Sequence, residues 1–166
     1  MTLDLAAPVD AADHVRGGGG RQLVVYGDFE CPYTAEAMRS LGRLEASGAI
    51  FELLFRHFPL RDIHPHAEAA AGISEAAARQ GRFWEMHDLL FSNQRHLEDA
   101  DLRQEAERLG LDMTRVHQTS LTQPSRLGWN ETWRAVPAAG SMAHPARSSM
   151  ACGIADRAIR SAWQKR

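Results

Sequence analysis

Apolar positions along this chain change their spacing several times, and each change marks an element. Leu23-Val24-Val25-Tyr26 is a run of strand-forming residues that stops at the turn pair Gly27-Asp28. From Pro32 the spacing becomes helical: Met38, Leu41 and Leu44 share one face, Arg39, Arg43 and Glu45 lie away from it, and Gly48 marks the stop. Ile50 to Phe58 is apolar enough to be buried on both faces, as strands of parallel sheets are. Strand, helix and strand therefore read as one βαβ unit. From Asp62 to Ser120 the pattern is helical. His66 to Arg79 is alanine-rich, and Phe83, Met86, Leu90 and part of Phe91 line one face, expected to be core packing. Asp99 or Asp101 is expected to cap a helix ended by Gly110, and Asp112 another from Met113 to about Ser120.

Composition narrows the class without changing this outline. The 166 residues suffice for one domain with a core, at ordinary hydrophobic (44%) and charged (24%) fractions. A net charge of -2 and the lack of a basic run argue against a nucleic-acid partner. No apolar run is long enough for a membrane span, so membrane insertion is not expected. The first fifteen residues hold Asp4, Asp10 and Asp13 but no lysine or arginine, unlike a signal peptide, and a cytoplasmic location is expected. Arginine outnumbers lysine eighteen to one, a bias expected of a GC-rich genome.

The chemistry centres on Cys31. A thiol between a strand and a helix, followed by Pro32, stands at the helix cap, because proline suits the first helical position. There the free amides and the helix dipole favour a thiolate, and such cysteines titrate below the free value of about 8.5. The competing reading is a small buried hydrophobe. The second cysteine, Cys152, is too distant in sequence for a Cys-x-x-Cys pair. His57, His64, His66 and His87 raise a metal hypothesis, set aside because no ligand spacing such as His-Glu-x-x-His occurs; neither a metal nor a cofactor is expected. Gly17 to Gly20 lacks the ending and the preceding strand of a phosphate loop.

Asp28-Phe29-Glu30-Cys31-Pro32-Tyr33, Phe55-Arg56-His57-Phe58-Pro59-Leu60, His64-Pro65-His66-Ala67 and Gln80-Gly81-Arg82-Phe83-Trp84-Glu85-Met86-His87-Asp88-Leu89-Leu90-Phe91 together resemble the DsbA-like branch of the thioredoxin-fold proteins. The nearest resemblance is to a soluble bacterial group that also occurs fused to sodium/proton antiporters, whose lead-in segment is similar to Asp13-His14-Val15-Arg16-Gly17. The resemblance spans about Asp13 to Leu121. It implies an α/β thioredoxin-like fold with an all-helical insertion covering the sheet and the active-site cleft. The expected organisation is a flexible leader (1–20), a thioredoxin-like domain (21–126) with the insert at about 62–120, and an atypical tail (127–166).

Where dithiol members carry a resolving cysteine, this chain has Thr34. Its hydroxyl can support the Cys31 sulfur but cannot close a disulfide, so resolution needs an external thiol. The resemblance implies a thiol-disulfide oxidoreductase working by monothiol exchange, with Cys31 and Thr34 catalytic and Pro32 and Tyr33 shaping the substrate contact. Its partner would be a small-molecule thiol or a protein disulfide. The alternative is a non-catalytic binding or regulatory module, inactive through loss of the C-terminal part.

The tail does not continue the pattern. All sixteen leucines and all six phenylalanines lie at or before Leu127, and three of the four tryptophans lie after it. The family's Thr-Pro turn, final strands and closing helix cannot be read there, since neither Pro137 nor Pro145 follows a threonine. Read from the third base of the Met142 codon, the codons of Met142 to Gly153 force Gly and allow Thr-Pro. If Ser148 and Ser149 use TCN codons, apolar positions follow. This points to a frameshift near Pro124 to Leu127 and the loss of the C-terminal strands, with Cys152 incidental.

Overall fold

The computed structural model describes Val9 and residues 13–122. Strands β1 (His14–Gly17) and β2 (Arg21–Gly27), helix α1 (Pro32–Ala46) and strand β3 (Phe51–His57) come first; helices α2 (Ala67–Ala78), α3 (Phe83–Ser92), α4 (Asp99–Arg108) and α5 (Met113–Thr122) follow. The sheet order is β1-β3-β2. β3 runs parallel to β2, with Leu23 opposite Leu53 and Gly27 opposite His57, and antiparallel to β1, with His14 opposite Phe55. The expected βαβ unit is thus β2-α1-β3, and α2 to α5 are the helical insertion. β3 buries Leu53, Leu54 and Phe55 in succession, as a central strand covered on both faces does. Phe83, Met86 and Leu90 of α3 join Phe29, Leu53 and Phe55 in one apolar cluster, which fixes the insertion against the sheet.

The leader expected over 1–20 gives way to structure earlier than its boundary. His14–Gly17 is an edge strand, and the glycine run carries the chain past the end of β3 from one side of that strand to the other. Gly17 and Gly20 have φ of 83° and 73°. A Cβ at Gly17 would meet the Phe51 carbonyl oxygen, and one at Gly20 the Ile50 carbonyl oxygen. The two ends of the run are therefore tight turns against the neighbouring backbone, although all four glycines are exposed, where the sequence alone reads as a spacer. Gly20→Ala should lose at least about 1–2 kcal/mol for the left-handed backbone alone, measured by urea denaturation. An unchanged midpoint would restore the flexible-linker reading.

Three further expectations need correction. Leu44 is 45% exposed, because at 3.6 residues per turn it falls on the flank of the stripe formed by Thr34, Ala35, Met38 and Leu41. Ile50 precedes β3 and is 74% exposed, and Phe58 follows the strand's end. α4 is capped by Glu98 in extended geometry; Asp99 and Asp101 sit in its first turn, where their charge suits the helix dipole. The α5 cap is as expected: Asp112 Oδ1 accepts the N–H groups of Thr114 (2.9 Å) and Arg115 (3.3 Å). The expectations for residues 127–166, including Cys152 and the shifted frame, lie outside the described residues. No described helix is long and apolar enough to cross a membrane.

Candidate active site

The sequence delivers Cys31 to the head of α1 by three local devices. Gly27 ends β2 where a Cβ would overlap the Phe55 ring and press on the Thr34 methyl. The Cys31 N–H donates to the Asp28 carbonyl at 3.2 Å, closing a turn. Pro32 then occupies the first helical position, leaving Cys31 as N-cap with extended backbone (φ -76°, ψ 121°). The Cys31 carbonyl accepts the first helical bond, from Ala35 at 3.1 Å. Cys31 is 6% exposed, whereas the neighbouring Tyr33 is 55% exposed and Pro32 is exposed. Thr34 is buried, and its hydroxyl accepts the Asp28 N–H at 3.3 Å. The four residues singled out in the sequence thus alternate in exposure at the head of α1: the Pro32-Tyr33 pair is open to solvent, while Cys31 and Thr34 on either side of it are buried.

Long-range contacts hold this turn. Buried Asp28 accepts the Glu30 N–H on Oδ1 (2.8 Å), and the Leu60 N–H (2.8 Å) and His64 Nδ1 (2.7 Å) on Oδ2. Glu30 Oε2 accepts the His66 N–H at 2.8 Å. The Cys31 turn and the loop after β3 are therefore stitched together by two carboxylates. From the helical insertion, Gln94 Nε2 donates to the Phe29 carbonyl at 2.7 Å and the Cys31 carbonyl at 3.0 Å. Sequence reading missed Gln94, because nothing local distinguishes it from any polar residue after a helix.

The histidines do not gather as one set. His64 serves Asp28, and His66 contributes its backbone. His57 Nε2 donates to Glu75 Oε1 at 3.0 Å, and His14 Nε2, from β1, donates to the same oxygen at 2.5 Å. Burial pushes the Glu75 carboxyl up, but these two bonds outweigh it and bring it down to about 2.

His87 is 1% exposed and ringed by Phe29, Phe55, Phe83, Trp84 and Phe91. Its Nδ1 bonds Asp88 at 2.8 Å, and its buried Nε2 has no partner among the described residues. Burial pushes the imidazole below its ordinary value against the opposing pull of Asp88. The folded state therefore binds this proton less readily than the unfolded chain. Its stabilising share is complete above the unfolded value of about 6.5 and is lost as pH falls through it. The urea midpoint should drop between about pH 7 and 5, and His87→Phe should flatten that drop. An undiminished slope in the variant would assign the acid sensitivity to other groups.

Comparison with known proteins follows the same lines. No protein-family model matches the chain. Over 119 residues it is 47% identical to a segment of the Na(+)/H(+) antiporter NhaA 3 of Salinispora tropica, covering 70% of this chain and 18% of the antiporter. Over 119 residues it is 45% identical to the NhaA antiporter of Herminiimonas arsenicoxydans, covering 69% of this chain and 19% of that protein. The chain thus spans about a fifth of the length of these relatives. Among solved structures it is similar to a thioredoxin-like oxidoreductase from Silicibacter pomeroyi (TM-score 0.60, 21% identity, 75% of this chain and 68% of that one). It is also similar to the thiol-disulfide exchange protein alpha-DsbA2 of Wolbachia pipientis (TM-score 0.57, 16% identity, 66% and 60%).

Proposed function

We propose that this chain, a DsbA-like thioredoxin-fold protein, carries out monothiol thiol-disulfide exchange through Cys31. The observation that supports this reading is the placement of Cys31 at the N-cap of α1, at the end of the turn that follows the parallel strand β2 and next to the exposed Pro32-Tyr33 pair. In the exchange, the Cys31 thiolate attacks one sulfur of a disulfide. A mixed disulfide forms on Cys31, and the other sulfur leaves as a thiolate. With Thr34 in the position of a resolving cysteine, a second thiol from outside attacks the mixed disulfide and releases Cys31. Attacking thiol and leaving thiolate balance, so no other oxidant or reductant is needed. Substrates of this class are a small-molecule disulfide or a protein disulfide presented in an extended segment. Because Cys31 is 6% exposed, exchange requires the turn around it to open towards the disulfide.

The same burial favours a second reading, a binding module that keeps the fold without turnover. One experiment separates the two. The full chain carrying Cys152→Ser, which leaves Cys31 as its single thiol, is incubated with glutathione disulfide and its intact mass is recorded, with the double variant Cys31→Ser/Cys152→Ser in parallel. Exchange predicts one glutathionyl adduct on the protein that keeps Cys31, reversed by added thiol and missing from the double variant. Equal adduct formation in both, or none on the protein that keeps Cys31, would rule the mechanism out.

A further inference from the structure

We propose that His14, His57 and Glu75 form a binding site for a divalent transition-metal ion of the zinc type, with the two histidine Nε2 atoms and one Glu75 carboxylate oxygen as protein ligands. This site lies outside the exchange chemistry and does not depend on Cys31.

The three ligand atoms lie within 4.8 Å of one another. Both nitrogens already converge on Glu75 Oε1, at 2.5 and 3.0 Å. With metal–ligand bonds of about 2.0–2.2 Å in tetrahedral geometry, each nitrogen needs to part from the Glu75 oxygen by less than about 1 Å to admit the ion between them. Two imidazoles and one carboxylate leave a fourth position for water. That donor set suits zinc and its neighbours better than the hard, oxygen-seeking calcium or magnesium.

Each ligand is carried by a different element and is held before any ion arrives. His14, at the start of β1, stacks on Phe83 with ring centroids 3.4 Å apart and planes at 10°. His57, at the end of β3, packs against the rings of Phe29 (5.6 Å) and Phe55 (5.5 Å). Glu75 projects from α2 and is held between the two rings by its bonds to both histidines. The side chains keep 17%, 11% and 21% of their exposure, which leaves a route for a hydrated ion.

The outer shell is incomplete. When Nε2 binds metal, the His57 proton moves to Nδ1, and that atom is buried without a partner among the described residues. Missing outer-shell partners lower affinity by about 10–100-fold. The site should therefore bind more weakly than a fully supported zinc centre.

The test uses the full chain with Cys31 and Cys152 both replaced by serine, so that no thiol competes for metal. After chelator treatment it is titrated with Zn²⁺ against a colorimetric chelator, and with Co²⁺ by visible absorption. One equivalent should bind, with the intense visible bands of tetrahedral cobalt. Glu75→Gln and His14→Asn should each lose more than about tenfold in affinity, at least the scale on which outer-shell partners act. Circular dichroism in chelator verifies that the variants fold. The histidine ring resonances of the unsubstituted site give a readout that needs no ligand variant: Zn²⁺ should shift His14 and His57 and leave His64 unmoved. Unchanged affinity in Glu75→Gln, shifts confined to other histidines, or no binding at millimolar zinc would show that the cluster is a hydrogen-bonded tie only.

Discussion

Asp13→Ala is expected to destabilise the protein by about 3–5 kcal/mol, the usual consequence of removing one partner of a buried ion pair. Arg56 lies on the central strand β3, and its side chain is 8% exposed; that of Asp13 is 3% exposed. The guanidinium donates to both carboxylate oxygens, Nε to Oδ1 at 2.6 Å and Nη2 to Oδ2 at 2.7 Å, and Nη1 donates to the Tyr26 hydroxyl at 3.1 Å. The Asp13 bonds raise the Arg56 pKa above its already high value against the effect of burial, so the group cannot escape by losing its proton. Without Asp13 a permanent charge remains in the sheet and loses the two-point ion pair that Asp13 provides. The double change Asp13→Leu with Arg56→Met removes both charges and should recover much of the loss. Urea denaturation of the two variants and of a chain beginning at residue 21 is the measurement. The shortened chain should be at least as unstable as Asp13→Ala, since it loses the carboxylate and β1 together. A drop of less than 1 kcal/mol in Asp13→Ala would mean that solvent reaches Arg56 and screens it.

Asp28→Ala should impair both stability and the reactivity of Cys31. Hydrogen bonds to a charged group each contribute about 1.5–3 kcal/mol, and Asp28 accepts the N–H groups of Glu30 and Leu60 and the His64 ring. These bonds share one carboxylate and do not add fully, so a net loss of about 3 kcal/mol is expected. Once the carboxylate is gone, the Glu30 amide loses its anchor one residue before Cys31, and the loop bearing Leu60 and His64 separates from the turn. The rate of Cys31 alkylation should therefore change together with the denaturation midpoint. Asp28→Asn keeps one acceptor oxygen and should fall between alanine and the wild type. Equal alkylation rates in all three proteins would show that the turn is held by its backbone and that Asp28 matters to stability alone.

Most of the local structure around Cys31 was legible in the chain. The β2 run, the Gly-Asp turn and the proline at the first position of α1 each act within a few residues, so their spacing encodes the outcome. The same holds for Asp112 at the head of α5 and for the Phe83, Met86 and Leu90 stripe of α3. The DsbA-like pattern in the Asp28–Tyr33, Phe55–Leu60, His64–Ala67 and Gln80–Phe91 segments taken together anticipated the fold that the structural comparison shows. Where local reading failed, tertiary packing had overridden it. Leu44 has the hydrophobicity of a core residue but lies on the flank of its helix. The glycine run has the composition of a linker yet crosses the end of β3 against the Ile50 and Phe51 carbonyls.

By itself, then, the sequence determined the βαβ unit, the helical insertion and a thiol at a helix cap, because propensity, period and capping are properties of neighbouring residues. Only the tertiary structure decided what surrounds that thiol. Gln94 meets the Cys31 carbonyl across 63 positions, His64 meets Asp28 across 36, Asp13 meets Arg56 across 43, and His14 meets Glu75 across 61. No periodicity joins residues so far apart. Their pairing follows from the register of β1 and β3 and from the way α2 and α3 lie on the sheet, which is set by the burial of the common core and by the need of each enclosed charge for a partner.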